Sequence, residues 1–130
     1  MTRQATGTFE VKLVPQQAHS PDLGRMTIDK QFHGDLDAVS VGEMLSAMTA
    51  VKGSAGYVAM ELVRGTLHGR MGSFVLQHSA LMTRGTPDLT VTVVPDSGTD
   101  ELTGLTGRMQ IIIDAAGGHS YRLEYSLPGQ

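Results

Sequence analysis

The chain has 130 residues, the length of a single domain spanning 1–130. Apolar residues at 40% against 18% charged exclude a disordered chain. The net charge is −3 and the ten Lys and Arg are scattered with no basic run, so no nucleic-acid partner is expected.

The N-terminal Met1-Thr2-Arg3-Gln4-Ala5-Thr6-Gly7 has no apolar h-region, which argues against secretion and makes a bacterial-type cytoplasm the expected location. No apolar stretch approaches the ~20 residues of a membrane helix, so no membrane partner is expected. Thr8 to Leu13 alternates, with Phe9, Val11 and Leu13 on one face. Pro15 and Pro21 bound a loop that carries His19. Met26 to Phe32 repeats the period of two, and Gly34-Asp35 is a turn. The next strand runs from Leu36 to about Met48. Its small face is Ala38, Ser40, Gly42 and Met44; its other face is Val39, Val41, Glu43 and Leu45. The pattern leaves open which of the two points inward.

Lys52-Gly53-Ser54-Ala55-Gly56 interrupts the alternation. Tyr57 to Leu67, Ser73 to Leu81 and Leu89 to Val94 are three further strands. The polar run from Pro95 to Leu102 reads as a turn with one helical turn, capped by Thr99 or Asp100. Arg108 to Ile113 and His119 to Leu127 form a last hairpin. Setting Ile113 opposite His119, Ile111 opposite Tyr121 and Met109 opposite Leu123 gathers the apolar residues on one face. Sixteen glycines punctuate these segments, as hairpins require. The fold class is all-β: a closed antiparallel barrel of about eight strands, whose interior holds packed side chains or one small ligand. Closure also removes sheet edges.

The run Gly53 to Glu61 resembles a family of small bacterial proteins classed as a domain of unknown function. So do Gly72 to Ser79, Val93 to Thr99, Gly34-Asp35-Leu36 and Gly42-Glu43-Met44-Leu45, and the resemblance covers nearly the whole chain. It implies an allene oxide cyclase-like barrel, related to the lipocalin-like calycins, with a central cavity. The tail (Ser97-Gly98-Thr99, Leu102, Gly104, Gly107, Tyr121, Tyr125) is similar in layout to the last strands of those cyclases. The resemblance carries over no catalytic residue, since one fold hosts many activities.

One constellation carries chemistry. Reading Gly69-Arg70 as a type II′ turn places Glu61 opposite His78, Val63 opposite Leu76, Gly65 opposite Phe74 and Tyr57 opposite Met82. The face is otherwise apolar. A carboxylate and an imidazole side by side there can move a proton near neutral pH, as an isomerisation or cyclisation needs. Glu61 and His78 are the candidate catalytic pair, and a purely structural buried pair is the competing reading. Tyr57 is placed to donate to a ligand oxygen. Phe74, Leu76, Ser40 and Tyr121 are the other candidate ligand contacts.

His33, Asp35 and Asp37 lack the spacing of a known metal site and read as a solvated turn. His19, His68 and His119 fall in or beside loops, His119 at a barrel mouth. Cysteine is absent, so there is no disulfide, thiolate nucleophile or zinc-thiolate site. No dinucleotide fingerprint, P-loop or nucleophile elbow occurs, and no cofactor is expected. The expected function is binding of a small, largely apolar molecule in the barrel. The alternative is a cofactor-independent cyclase or isomerase using Glu61 and His78; a third option is a solid barrel acting only through oligomer contacts. A homodimer remains open.

Overall fold

Alternation of apolar and polar residues places every second side chain on one face, and each such stretch forms a strand. The computed structural model describes residues 2–129. It is a closed antiparallel barrel in which each strand pairs with the next and the last with the first. The strands are β1 (Arg3–Gln16), β2 (Gly24–Gly34), β3 (Leu36–Met48), β4 (Ala55–Leu67), β5 (Arg70–Thr83), β6 (Thr86–Val93), β7 (Thr106–Ile113) and β8 (His119–Ser126). β3 has the bounds that its alternation gives, and the β7–β8 register has Ile113 opposite His119 and Met109 opposite Leu123.

The small face of β3 is the inner one. Ala38 and Ser40 are buried, while Val39 and Val41 are half exposed on the outer wall. The cause is volume: Ala38 lies opposite Phe32 of β2 and Gly65 of β4, so small residues leave space for the Phe32 ring.

The β4–β5 turn differs from expectation. Leu67 pairs with Arg70, so His68 and Gly69 are the two central residues. Both have positive φ, 48° and 80°, which is a type I′ turn rather than II′. His68 accepts the left-handed conformation while its ring bonds the Tyr125 hydroxyl. The register therefore shifts by two: Glu61 faces Leu76 and Ala59 faces His78. A shift of two keeps every side chain on its face.

The barrel is filled at one end and open at the other. At the filled end Phe32, Leu36, Leu67, Phe74, Tyr121, Leu123 and Tyr125 are almost wholly buried. The β6–β7 connection closes over them, with a short 3-10 helix at Asp100–Leu102 and with Leu102 and Leu105 buried. Thr99 precedes that helix but caps nothing; its hydroxyl accepts the Ser73 amide of β5 at 3.0 Å. Ser97 likewise takes the Val75 amide at 3.0 Å. This connection thus replaces strand pairing along one half of β5. β6 and β7 themselves share a single bridge, Thr92 with Arg108. Among the described residues, no helix is long and apolar enough to cross a membrane.

Candidate functional site

Four successive strands each place one polar residue at mid-height inside the barrel: Lys30 on β2, Ser40 on β3, Glu61 on β4 and His78 on β5. Lys30 pairs directly with Ser40, whereas Glu61 and His78 are each displaced by two residues from the direct partner on the preceding strand. Strands in a barrel tilt, so residues at one height step along the register from strand to strand. That tilt brings the four together.

The Glu61 carboxylate is fully buried and organises the cluster. Its Oε1 accepts from Lys30 Nζ at 3.0 Å and meets His78 Nε2 at 2.8 Å. Its Oε2 accepts from the Ser40 hydroxyl at 2.5 Å. Burial alone pushes its pKa up, but the His78 hydrogen bond, the Lys30 charge and the Ser40 hydroxyl together hold it below the usual carboxylate value. Glu61 is therefore ionised, and a carboxylate that only accepts makes Nε2 of His78 the donor. In the neutral imidazole, Nδ1 is then left with the lone pair. Among the described residues Nδ1 has no hydrogen-bond partner.

The Lys30 ammonium also sits over the Phe9 ring, 4.9 Å from its centre, a favourable placement for a desolvated cation. Gly42 is opposite Glu61. A Cβ there would come within 2.2 Å of the Met60 carbonyl, so only glycine lets β3 approach β4 this closely beside the carboxylate.

Lys30, His78, Ala59, Tyr57 and His119 border a lumen of about 200 Å³ whose remaining walls are apolar: Phe9, Val11, Ile28, Met44, Leu89 and Ile111. It leads into an apolar vestibule of about 450 Å³ at the open end, the two sharing Leu13, Met44, Tyr57 and Leu89. The Tyr57 hydroxyl stays protonated to higher pH than usual, through burial first and the Glu61 charge second. A larger concavity, about 650 Å³, lies under the β1–β2 loop, against outward residues such as Glu43, Leu45, Val58 and Met60, and also touches Ala59 and His78. It is bigger, but its lining lacks Lys30 and Tyr57, which the lumen sets beside His78. The lumen is the better candidate because shape and acid–base groups coincide there.

Of the residues singled out from sequence, His78 and Tyr57 border the lumen, and Glu61 and Ser40 lie buried behind it, joined to His78 through the Glu61 carboxylate. Phe74, Leu76 and Tyr121 do not border it. Leu76 packs opposite Glu61 beneath the cavity, and Phe74 lies in the filled end. Tyr121 is committed to structure: its hydroxyl accepts the Leu36 amide at 2.9 Å and donates to the His33 carbonyl at 2.8 Å. His119 does reach the mouth, its ring tilted against Phe9 with centroids 5.0 Å apart. His33 pairs with Glu10, and Asp35 accepts the Thr6 amide. The residue missed from sequence is Lys30. Its signal was present: it stands between Ile28 and Phe32 on the apolar face of β2.

Residues 5–125 match the model of a family described as "Protein of unknown function (DUF3224)". The chain belongs to the DUF3224 family. A solved DUF3224 structure from Shewanella oneidensis MR-1, described as a protein with unknown function, is 52% identical and superposes with a TM-score of 0.94, covering 100% of both chains. No curated protein matches the chain. Membership in DUF3224 thus accounts for the barrel and leaves the reading of the lumen to its own chemistry.

Proposed function

We propose that this barrel binds a small, largely apolar molecule in its lumen, with one polar group set against Lys30, His78 and Tyr57. The supporting observation is an apolar cavity, continuous with an open vestibule, that ends on a buried, charge-balanced polar cluster. Apolar walls supply affinity and a few fixed polar groups supply orientation, the usual division in ligand sites. The Shewanella relative supports a bacterial source, and a cytoplasmic site of action is carried over from the sequence.

Native mass spectrometry of gently purified protein, with displacement of the apolar probe N-phenyl-1-naphthylamine, tests this. Probe binding should be lost in Leu89→Trp and Met44→Trp, which fill the passage between vestibule and lumen. Probe binding equal to wild type in both folded variants would sink the proposal.

A second reading rests on the unpartnered Nδ1 of His78. With Nε2 donating to Glu61, Nδ1 is a base at the edge of the lumen, and Lys30 and Tyr57 are donors for developing negative charge on a ligand oxygen. That arrangement suits removal of a proton from carbon next to a carbonyl and its return elsewhere, an isomerisation or cyclisation without cofactor. His78→Gln should then retain the ligand identified above while abolishing its solvent-deuterium incorporation. Undiminished incorporation would remove His78 as the base.

A further inference from the structure

The outer wall of β3 and β4 bears an apolar face that the barrel itself does not use. Val39, Val41, Leu45, Val58 and Met60 all point outward and are 46–56% exposed. Leu62 lies between them, opposite Val41. On a soluble barrel the outward positions of a strand are ordinarily polar, and β2 follows that rule there with Arg25, Thr27, Asp29 and Gln31. The apolar run on β3 and β4 is therefore a departure that needs a partner.

The charges on this face say which partner. The pairs Val39–Arg64, Val41–Leu62 and Glu43–Met60 follow one another along the two strands. Arg64 thus stands two residues to one side of the Val41–Leu62 pair and Glu43 two residues to the other. Arg64 makes no ion pair among the described residues. Glu43 meets Arg25 through Oε1, at 2.6 Å, and among the described residues its Oε2 has no hydrogen bond. A two-fold axis across the strands at the level of Val41 and Leu62 lays this wall on a copy of itself. It carries each Arg64 to the level of Glu43 in the second copy, where the long guanidinium stem spans the one-strand offset of ~4.8 Å. The same operation stacks Val41 and Leu62 against their counterparts and lays Met60 along the Arg64 stem of the other copy. Such self-complementarity is what an isologous interface requires.

We propose that the β3–β4 outer wall is a homodimer interface, closed by reciprocal Arg64–Glu43 pairs around an apolar centre. Five half-exposed apolar residues and the part-buried Leu62 give a patch of a few hundred Å² per copy, and with the charged rim two copies bury about 1,000 Å², the lower bound for a specific interface. The lumen opens at the barrel end, not through this wall, so both mouths stay free. The proposal is independent of what the lumen holds.

Sedimentation velocity across micromolar concentrations is the test. Wild type should sediment at twice the 13.8 kDa chain mass. Arg64→Glu and Glu43→Arg should each raise the dissociation constant at least about tenfold, and the double charge swap should restore it to within about threefold. Val41→Glu sets two carboxylates face to face on the axis and should leave only monomer, with the circular dichroism spectrum of wild type confirming the fold. A wild-type monomer at the highest concentration overturns the proposal. So does a dimer that Val41→Glu leaves intact, or a charge swap that fails to restore association.

Discussion

Lys30, Ser40 and His78 divide one carboxylate between them, so removing any one changes the state of the rest. Glu61→Ala leaves the buried Lys30 ammonium without its counter-ion and should cost about 3–5 kcal/mol. His78→Ala removes one hydrogen bond and should cost about 1–3 kcal/mol. Because both changes act on the same contact, the double variant should lose less than the sum by about 1 kcal/mol or more in urea melts. Strict additivity would mean that the two side chains do not interact. The same carboxylate sets an acid dependence. Its native pKa lies below the ordinary 4.5, so its stabilisation is fully present above that value. As pH falls past 4.5 and through the lowered native value, that contribution disappears. Glu61→Gln should be less stable at neutral pH but lose less on acidification over that window. An acid limb of the same depth in wild type and variant would refute the assignment.

Individual strands and turns show what alternation can and cannot specify. The eight strands, the inner face of β4 and β5 and the β7–β8 register were all legible, because each depends on a period of two and a local turn. The β4–β5 register lies two residues from the one its sequence suggests because His68, rather than Asn or Gly, occupies the first left-handed position of the turn. The compensating His68–Tyr125 contact joins residues far apart in sequence. The role of Lys30 is hidden in the sequence for a related reason: a lysine on an apolar face is acceptable only if a counter-ion reaches it, and Glu61 is two strands away. Two substitutions follow at this scale. Gly69 has φ 80° with open space around it, so Gly69→Ala should cost about 1 kcal/mol from backbone strain alone, read as a shift in denaturant midpoint. Tyr121→Phe leaves the Leu36 amide without its hydroxyl partner and should cost about 1–3 kcal/mol. A loss below about 0.5 kcal/mol would show that the β2–β3 turn does not depend on that hydroxyl.

Across the whole barrel, all three tyrosines, Tyr57, Tyr121 and Tyr125, are raised above 10, with burial the largest cause at each. A raised native pKa stabilises the fold below the ordinary value and loses that contribution as pH rises through the native one. Phenolate absorbance should therefore appear only above pH 10 and together with loss of the β signal. A tyrosine titrating below 10 in folded protein would contradict this. The seam between β6 and β7, held by one bridge, should show the fastest amide exchange of any strand pair. The pairing of β1 with β8 has a different kind of consequence. Arg3 faces Tyr125, so the ring of hydrogen bonds cannot close until the last strand has left the ribosome. Contacts of such long sequence separation fold slowly, and through that interval β1 is an open edge available to a neighbouring nascent chain. Translation rate and chaperone supply, more than native stability, should then set the yield of soluble protein when the chain is overexpressed.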